Sequence, residues 1–535
     1  MKSSLAREEG IDVVASGVAN RHASAKFSID EFLRVHSDGI AVALTILAAI
    51  RILVFAAAFP LSNNTDEKFH FLSIQMYAQG HLPGRDLPRM DAGFARNFLL
   101  YWSPEYGLTQ EELNRNGLRT PPYWLAAPAR DSVMNRPYYA EKLRTWLDRR
   151  NYEAQAPPFY YIAAAAWYDL GAALGIQGWA LAYWVRFLNP VIYGLFAWLS
   201  YKFTQKVYPD RTFVCLAVPA LIAVFPQDVF FGMNRDVLSP LMCAAALLLM
   251  MHAVAGEIVH ERLLLLASFV VGLAFLTEVS NCVLFAVLAG AFWIWGRRSV
   301  ATPVRKLGFF GISAVLTFTL PLLWMWRNYK VMGDLTGGSA KMRDFGWTVR
   351  PLAEVAHHPL FTWHGLSHFL GELIANFWFG EYVWHNLPMW SAGAERFYII
   401  SSVLTVFVFA ADFVRRRKAL PRVQLWAGSA AMFLVGSSVL FLAAISLPFD
   451  FHGFQYPSRS YPYFVSGRIV SGALLPFLLI YTGGLELVAE RFRRLIPPWS
   501  ALVTVLLFIT FSELLVRRVV FSSPYNFFAL LRGHG

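Results

Sequence analysis

Charged residues are scarce in this sequence. Only 15% of its 535 residues are Asp, Glu, Lys or Arg, whereas 56% are hydrophobic and 16% are aromatic. About a quarter of the residues of a typical soluble domain are charged, so this composition excludes an ordinary water-soluble fold. Long uncharged runs are satisfied in a lipid bilayer, and a mean hydropathy of +0.43 agrees with that environment. The sequence therefore predicts an all-α polytopic membrane protein.

Cysteine is also scarce. The basic residues, in turn, are not gathered into one patch. Cys215, Cys243 and Cys282 all lie in apolar runs, so no disulfide framework is implied and the compartment cannot be read from them. The net charge of +12 comes from basic residues in short turns between apolar segments. That distribution sets the orientation of membrane proteins. It argues against nucleic acid as a partner.

Apolar runs of about 17–25 residues predict about eleven transmembrane helices. These runs are 40–60, 179–203, 212–231, 237–256, 262–277, 280–295, 307–327, 397–414, 423–447, 468–488 and 497–516. A further run, 159–174, is almost long enough to cross. If it does not cross and the amino terminus is inside, the basic turns after it all face the cytoplasm. We therefore expect 159–174 to form an interfacial helix or to pack in the outer leaflet.

This topology places long segments outside the cytoplasm, where ordinary connectors are much shorter. The function is therefore expected in these outer loops and in the outer ends of the spans. The predicted units are a cytoplasmic tail (1–38), a first transmembrane helix (39–60), a large extracytoplasmic loop with interfacial helices (61–178), a transmembrane bundle (179–327), a second extracytoplasmic loop (328–396), C-terminal transmembrane helices (397–516) with an outer loop (448–467), and a tail (517–535).

Acidic residues and a histidine directly follow the first span. His70 lies four residues after Asp66 and three after Glu67, so on a helix it shares a face with either carboxylate. A carboxylate beside a cavity at the membrane surface can act as a general base, with a histidine as its partner. The alternative is a helix start with a solvated charge.

A second acidic candidate lies in the very short outward turn before the run 237–256. Asp236 begins an apolar helix, where a carboxylate is costly unless it is paired. The alternative is that Asp236 caps this helix and pairs with Arg235, and the sequence alone does not decide between the two. Glu278, beside Asn281 in another turn, is a secondary candidate.

Basic residues at the outer ends of spans are a third group. Arg327 ends the seventh span and Arg468 opens the tenth, while Arg459 and Lys341 lie in adjoining loops. The planar guanidinium donates two hydrogen bonds at once to a phosphate. Because an outer arginine runs against the cytoplasmic bias, it favours an anionic partner over simple snorkelling.

Carboxylates and arginines on one side favour an enzyme acting on a lipid-linked phosphate over a transporter or a scaffold. The motifs resemble the GT-C superfamily of membrane glycosyltransferases, near protein O-mannosyltransferases and lipid A aminoarabinose transferases. A bacterial family of uncharacterised membrane proteins with an Asp-Glu-x-x-His signature is more similar still. The matching segments are Asp66–Phe71, Gln155–Tyr161, Phe225–Asp236, Arg327–Asp334 and Ser466–Arg468.

The resemblance implies an inverting transfer of a sugar from a polyprenyl-phosphate donor to an extracytoplasmic glycan, lipid or protein. By position Asp66 would be the base, and the implied catalytic set is Asp66, Glu67, His70 and Asp236. The implied donor-phosphate ligands are Arg468, Arg459, Arg327 and Arg235. No cofactor is required, although a divalent cation at Asp66, Glu67 and Asp236 is an alternative.

The chain departs from the two named branches, which have other residues in place of His70. It also lacks a recognisable outer carbohydrate-binding domain after its last spans, and both features leave the acceptor open. A lipid-linked glycan polymerase or ligase is the second interpretation, and a membrane transporter is the third. The expected location is the bacterial inner membrane, with membrane lipids as partners and the active site on the periplasmic side.

Overall fold

The structure is a computed structural model that describes residues 29–62, 66–101, 103–116, 132, 134–256, 259–451, 457–492 and 496–529. Most of the predicted tail 1–38 and the end of the predicted tail 517–535 lie outside these residues. In the described ranges the protein is helical, and its two small sheets have two short strands each. The prediction of an all-α polytopic membrane protein is confirmed.

Nine helices in the described part are long and apolar enough to cross a bilayer. They are Ser37–Ala58, Gly178–Val207, Arg235–Val254, Val279–Arg298, Pro303–Met332, Ala392–Arg416, Arg422–Ser446, Gly467–Arg491 and Pro498–Ser522. Each corresponds to one of the eleven predicted runs.

The other two predicted runs form shorter helices, Thr212–Val224 and Glu261–Phe275. The first has 13 residues, or roughly 20 Å at 1.5 Å per residue, which is less than the hydrocarbon thickness. It ends early because Phe225 precedes Pro226, and a residue before proline is pushed into the extended conformation seen there. Both helices pack against longer ones. The composition of these runs reflects burial in protein as much as contact with lipid.

Ion pairs and hydrogen bonds gather several basic turns at one end of the bundle. Lys202 pairs with Asp38 at the start of the first span, with 3.0 Å between Nζ and Oδ1. Arg305 reaches Glu261 at 3.0 Å. Asp38 and Ala58 are at opposite ends of the helix Ser37–Ala58. Ala58 therefore lies at the end of the bundle away from these basic turns.

The helix Phe159–Ala173 folds back against the start of the span Gly178–Val207. The rings of Trp167 and Trp184 stack with centroids 4.5 Å apart, and each indole N–H donates to the other residue's carbonyl at 2.8 Å. The segment returns directly into the next span. It therefore stays at the end of the bundle away from the basic turns.

The described segments before and between the spans form short helices and two small sheets. The helices are Ile29–Val35, Glu67–Ala78, Ala92–Tyr101, Pro104–Gly107, Gln110–Asn116, Pro137–Asp148, Gly338–Phe345, Leu352–Val355 and Trp363–Phe379. The antiparallel strand pairs are Trp347–Val349 with Phe449–Phe451, and Val383–Trp384 with Leu387–Pro388.

A buried charge network joins the first and last spans. The Glu513 carboxylate accepts from Arg51 at 2.5 Å and from Arg517 at 2.6 Å. Arg517 also donates to the carbonyl of Phe379 at 3.1 Å. The last span thereby supports the turn that follows the helix Trp363–Phe379.

Candidate active site

Three carboxylates from distant parts of the chain converge on one guanidinium, that of Arg468. Its Nη2 lies 2.6 Å from Asp66, its Nη1 lies 3.0 Å from Asp236, and its Nε lies 3.3 Å from Glu381. The arginine side chain is 16% exposed, so it is shielded from solvent but reachable. All three of its nitrogens are thus directed to different acids.

Each member of this cluster is positioned by the end of a helix. Asp66 stands immediately before the helix Glu67–Ala78. Asp236 lies in a short turn whose start is capped by the side chain of Asn234, which accepts from the Asp236 N–H at 2.9 Å. Asp236 is therefore not the cap. Its distance to Arg235 is 3.9 Å, so Arg468 is the closer partner.

Glu381 lies in a tight turn that requires a glycine. Gly380 has a φ of +89°, and a Cβ at this position would lie 1.8 Å from Oδ1 of Asp228. Asp228 in turn accepts from the backbone N–H of Tyr382 at 2.6 Å. The turn is held from both sides, and this fixes Glu381 beside Arg468.

Asp66 has a second partner in the hydroxyl of Tyr152, which donates to its Oδ1 at 2.5 Å. Burial raises the pKa of Asp66, but the nearby charge of Arg468 outweighs it and holds the pKa below the usual value. Burial and the charge of Asp66 raise the pKa of Tyr152 well above its normal range. The pair is therefore a carboxylate and a protonated phenol.

A second ionic group centres on Glu153. Its carboxylate pairs with Lys341 at 2.7 Å and with Arg235 at 2.9 Å, and Arg235 also reaches Glu278 at 2.5 Å. Burial raises the pKa of Glu153, yet the two cations lower it far below the usual value. Glu278 is thus placed as the partner of Arg235.

Both ionic groups line one cavity of about 400 Å³. Its charged lining residues are Asp66, Glu153, Glu381, Arg235, Lys341 and Arg468. Counting these gives three acids and three bases, so the lining is balanced in charge. Aromatic side chains, including Tyr152 and Trp347, complete the wall. The cavity can accept a polar group of moderate size.

Glu67, expected in the catalytic set, is turned away from this cavity. Its carboxylate holds Arg186 through contacts of 2.6 and 2.8 Å and accepts from the backbone N–H of Met233 at 2.9 Å. The side chain is fully buried. Adjacent residues at a helix start point in different directions, so Asp66 and Glu67 serve different partners.

The alternative of a divalent cation at Asp66, Glu67 and Asp236 does not fit this arrangement. Glu67 belongs to Arg186, and the Arg468 guanidinium lies between the other two carboxylates. Among the described residues no group of three metal-ligating side chains comes together. The geometry therefore contradicts the alternative of a cation bound by these three residues.

His70 is buried beside Tyr161 instead of forming the expected pair with a carboxylate. Its Nδ1 is 2.7 Å from the tyrosine hydroxyl. Burial lowers the pKa of His70 to about 4, so the imidazole is neutral at physiological pH. His70 does not line the cavity.

Two of the four predicted phosphate ligands lie elsewhere. Arg327 donates to the carbonyl of Pro83, and Arg459, with 68% of its side chain exposed, pairs with Asp450 at 3.2 Å. Neither lines the cavity, whereas Arg468 and Arg235 both do.

The sequence interpretation missed Tyr152, Glu153 and Glu381. The first two lie three and two residues before the Gln155–Tyr161 motif, so their position was a usable signal. The signal for Glu381 was Gly380 before it, since a glycine after a helix marks a tight turn.

One family model, described as a predicted membrane protein (DUF2142), matches residues 50–449. No curated protein and no solved structure matches the chain. The matched range includes Asp66, Asp236 and Glu381, whereas Arg468 lies beyond its end.

Proposed function

Since the chain belongs to the DUF2142 family of predicted membrane proteins, we propose that its cavity around Arg468 transfers a sugar, with inversion, from a polyprenyl-phosphate donor to an extracytoplasmic acceptor. The observation that carries this proposal is the position of the segment Gly467–Ala473. This segment lies between the charged cavity and a second, apolar groove. A substrate with a charged head and a hydrocarbon tail matches both.

The apolar groove has a volume of about 450 Å³ and is almost free of polar surface. Val470 and Ala473 line it, whereas Arg468 and Ile469 of the same segment line the charged cavity. Phe377 and Phe477 contribute from two of the surrounding helices. Hydrocarbon placed here would stay in an apolar setting while a phosphate lies at Arg468, a few residues away.

A donor phosphate would compete with the carboxylates for the Arg468 guanidinium. Arginine binds phosphate through its paired N–H groups, and each N–H taken by phosphate is withdrawn from an acid. Asp66 would then lose its closest cation while remaining buried, and burial raises a carboxyl pKa. Donor binding thereby makes Asp66 a stronger base.

The proposed reaction needs one base and no covalent intermediate. Asp66 takes the proton of the acceptor hydroxyl or amine as the new bond to the sugar's anomeric carbon forms. The bond from that carbon to the phosphate oxygen breaks on the opposite face, and the polyprenyl phosphate leaves with the electron pair. Arg468 stabilises the charge that develops on this leaving group.

In-line attack places the base and the departing phosphate on opposite faces of the sugar. Asp66 and Arg468 are in direct contact at 2.6 Å, so donor binding has to separate them. Tyr152 remains beside Asp66 as a hydrogen-bond donor, which orients the carboxylate after Arg468 moves to the phosphate. Lys341 and Arg235 remain paired with Glu153 in the same cavity.

The proposed side of the membrane follows from the charge bias. The basic turns lie at the end of the bundle away from the cavity, and short basic loops face the cytoplasm. The cavity would then open to the periplasm in a bacterial inner membrane. The acceptor would be a glycan, lipid or protein.

The test is binding and transfer with a panel of polyprenyl-phosphate sugars and the purified full chain. Asp66→Asn should bind donor at least as well as the parent, because Arg468 loses one of its three competing carboxylates, but should lose most transfer, on the order of 100-fold or more. Arg468→Ala should lose donor binding. Arg459→Ala, an exposed arginine outside the cavity, is the matched control and should behave like the parent.

Normal transfer by Asp66→Asn would show that Asp66 is not the base. Products extended by many sugars would indicate that the protein is a lipid-linked glycan polymerase and not an enzyme that transfers a single sugar. If no donor binds and an ion gradient drives uptake of a solute, the protein is a transporter.

A further inference from the structure

Another groove, of about 710 Å³, lies at the end of the bundle that carries the basic turns. It runs between the helices Ala392–Arg416 and Leu474–Arg491. Its inner part is apolar, and its outer end carries Arg415, Arg416 and Arg491. The groove shares no lining residue with the charged cavity, and it meets the groove beside Gly467–Ala473 at Phe407, which lines both.

The apolar and basic parts follow each other along one helix face. Leu404, Phe407, Val408, Ala411 and Arg415 recur at spacings of three and four residues, so they form a single stripe. From Leu404 to Arg415 the helix rises roughly 17 Å, at 1.5 Å per residue. The facing helix adds Leu487 and Val488 to the floor.

The arginines at the outer end are exposed and oriented. Arg415 and Arg416 both hold Asp412, at 2.7 and 2.9 Å, and remain 72% and 53% exposed. Arg491 faces them at the end of the other helix. With Glu490 included, the lining holds three guanidiniums and two carboxylates, so it keeps a net positive charge.

We infer that this groove binds an anionic phospholipid of the surrounding leaflet. The lipid phosphate would lie among Arg415, Arg416 and Arg491, and an acyl chain would follow the stripe over Phe407 toward Leu404. Basic pockets between transmembrane helices at the cytoplasmic surface suit such headgroups, and guanidiniums suit phosphate.

The two halves of the groove together favour a lipid over a soluble anion. Phe407 is 71% exposed in the protein alone, so an acyl chain would cover surface that a free phosphate leaves bare. A neutral lipid would leave the excess positive charge unmatched. The inference does not depend on the proposed transferase activity.

The test measures lipid binding to the purified full chain in detergent, by native mass spectrometry with phosphatidylglycerol or phosphatidylcholine. We expect preferential retention of phosphatidylglycerol. Double substitution Arg415→Gln with Arg491→Gln should weaken its binding by about thirtyfold, on the basis of the usual contribution of each basic residue at a lipid surface. Leu404→Ser, at the apolar end of the stripe and outside the groove beside Gly467–Ala473, should weaken binding of long-chain lipid more than that of a short-chain analogue.

Arg305→Gln is the matched control, since Arg305 is 67% exposed, pairs with Glu261 and belongs to another basic turn at the same end. It should bind phosphatidylglycerol like the parent. Equal loss in this control, equal binding of both lipids, or full competition by inorganic phosphate would each overturn the inference. These outcomes would indicate, respectively, diffuse surface charge, a general hydrophobic surface, and a soluble-anion site.

Discussion

Individual side chains in this protein are distinguished more by their partners than by their types. Asp66 and Glu67 are adjacent, yet one faces a cavity beside Arg468 and the other is sealed against Arg186. His70, one turn later, faces Tyr161. Three residues that look like one acidic motif in the sequence therefore have three different surroundings.

The neutral state of buried His70 predicts an acid-sensitive contribution to stability. Burial lowers the pKa of His70 to about 4, below the 6.5 of an exposed histidine. The folded form therefore resists protonation, so this contribution is complete above pH 6.5 and is lost as the pH falls toward 4. The difference corresponds to about 3 kcal/mol. His70→Gln should lessen the fall in melting temperature between pH 7 and 4.5.

His364→Gln is the control for this experiment, since His364 lies on an exposed helix face. It should melt with the same pH dependence as the parent protein. If His70→Gln and the parent lose stability in parallel, the histidine is not the acid-sensitive group.

At the scale of elements, the sequence predicted where helices lie better than how long they are. Asp66, Asp236 and Arg468 each lie at or near the end of a predicted span. Their meeting in one cluster could therefore be expected from the span boundaries. Residues in outer loops were not predictable in this way, since the position of Glu381 depends on a turn held by tertiary contacts. The helix Thr212–Val224 was predicted too long because the apolar composition continues past Pro226.

The contact between Glu67 and Arg186 fastens the first span to the second. Arg186 also donates to the carbonyls of Ala56, Phe59 and Pro60, so it closes the end of the first helix. Glu67→Gln would leave a buried cation without its counter-ion. We expect a loss of about 3–5 kcal/mol in unfolding free energy, measured by denaturant titration in detergent.

Asp66→Asn serves as the comparison, because Arg468 keeps Asp236 and Glu381 and the loss should be smaller. A Glu67→Gln protein with parental stability and no sugar transfer would restore Glu67 to the catalytic role that the sequence suggested.

The turn that carries Glu381 should not tolerate a side chain at position 380. Gly380→Ala combines a φ of +89° and a ψ of −152°, a region almost confined to glycine that costs other residues about 1–3 kcal/mol, with a Cβ that overlaps the carboxylate of Asp228. The turn must shift, and Glu381 moves with it. We expect a lower melting temperature and weaker binding of polyprenyl-phosphate sugars.

Gly371→Ala is a suitable control, because it lies in the preceding helix and its Cβ would make only an ordinary contact of 3.8 Å. Donor binding by Gly380→Ala equal to that of Gly371→Ala would show that the turn does not position the site.

For the whole molecule, the order of the spans was accessible from hydropathy, whereas the residues that line the cavity were not. Tyr152, Glu153 and Lys341 reach it from outer segments far apart in sequence. Hydropathy is insensitive to such segments, because their polar residues lie near water in any arrangement. Arg327 and Arg459, expected as phosphate ligands, do not line this cavity, since a position at the end of a span or in a loop does not specify a partner.

The bridge from Arg51 through Glu513 to Arg517 also bears on how the protein is assembled. Arg51 enters the membrane with the first helix, and its carboxylate partner arrives only with the last. Until the last helix is synthesised, Arg51 lies in an apolar segment without this carboxylate, and an uncompensated charge in the membrane is costly. In a nascent chain that ends before residue 498 the Arg51 charge lacks this partner, so the pairing is completed only when the final helix packs against the first.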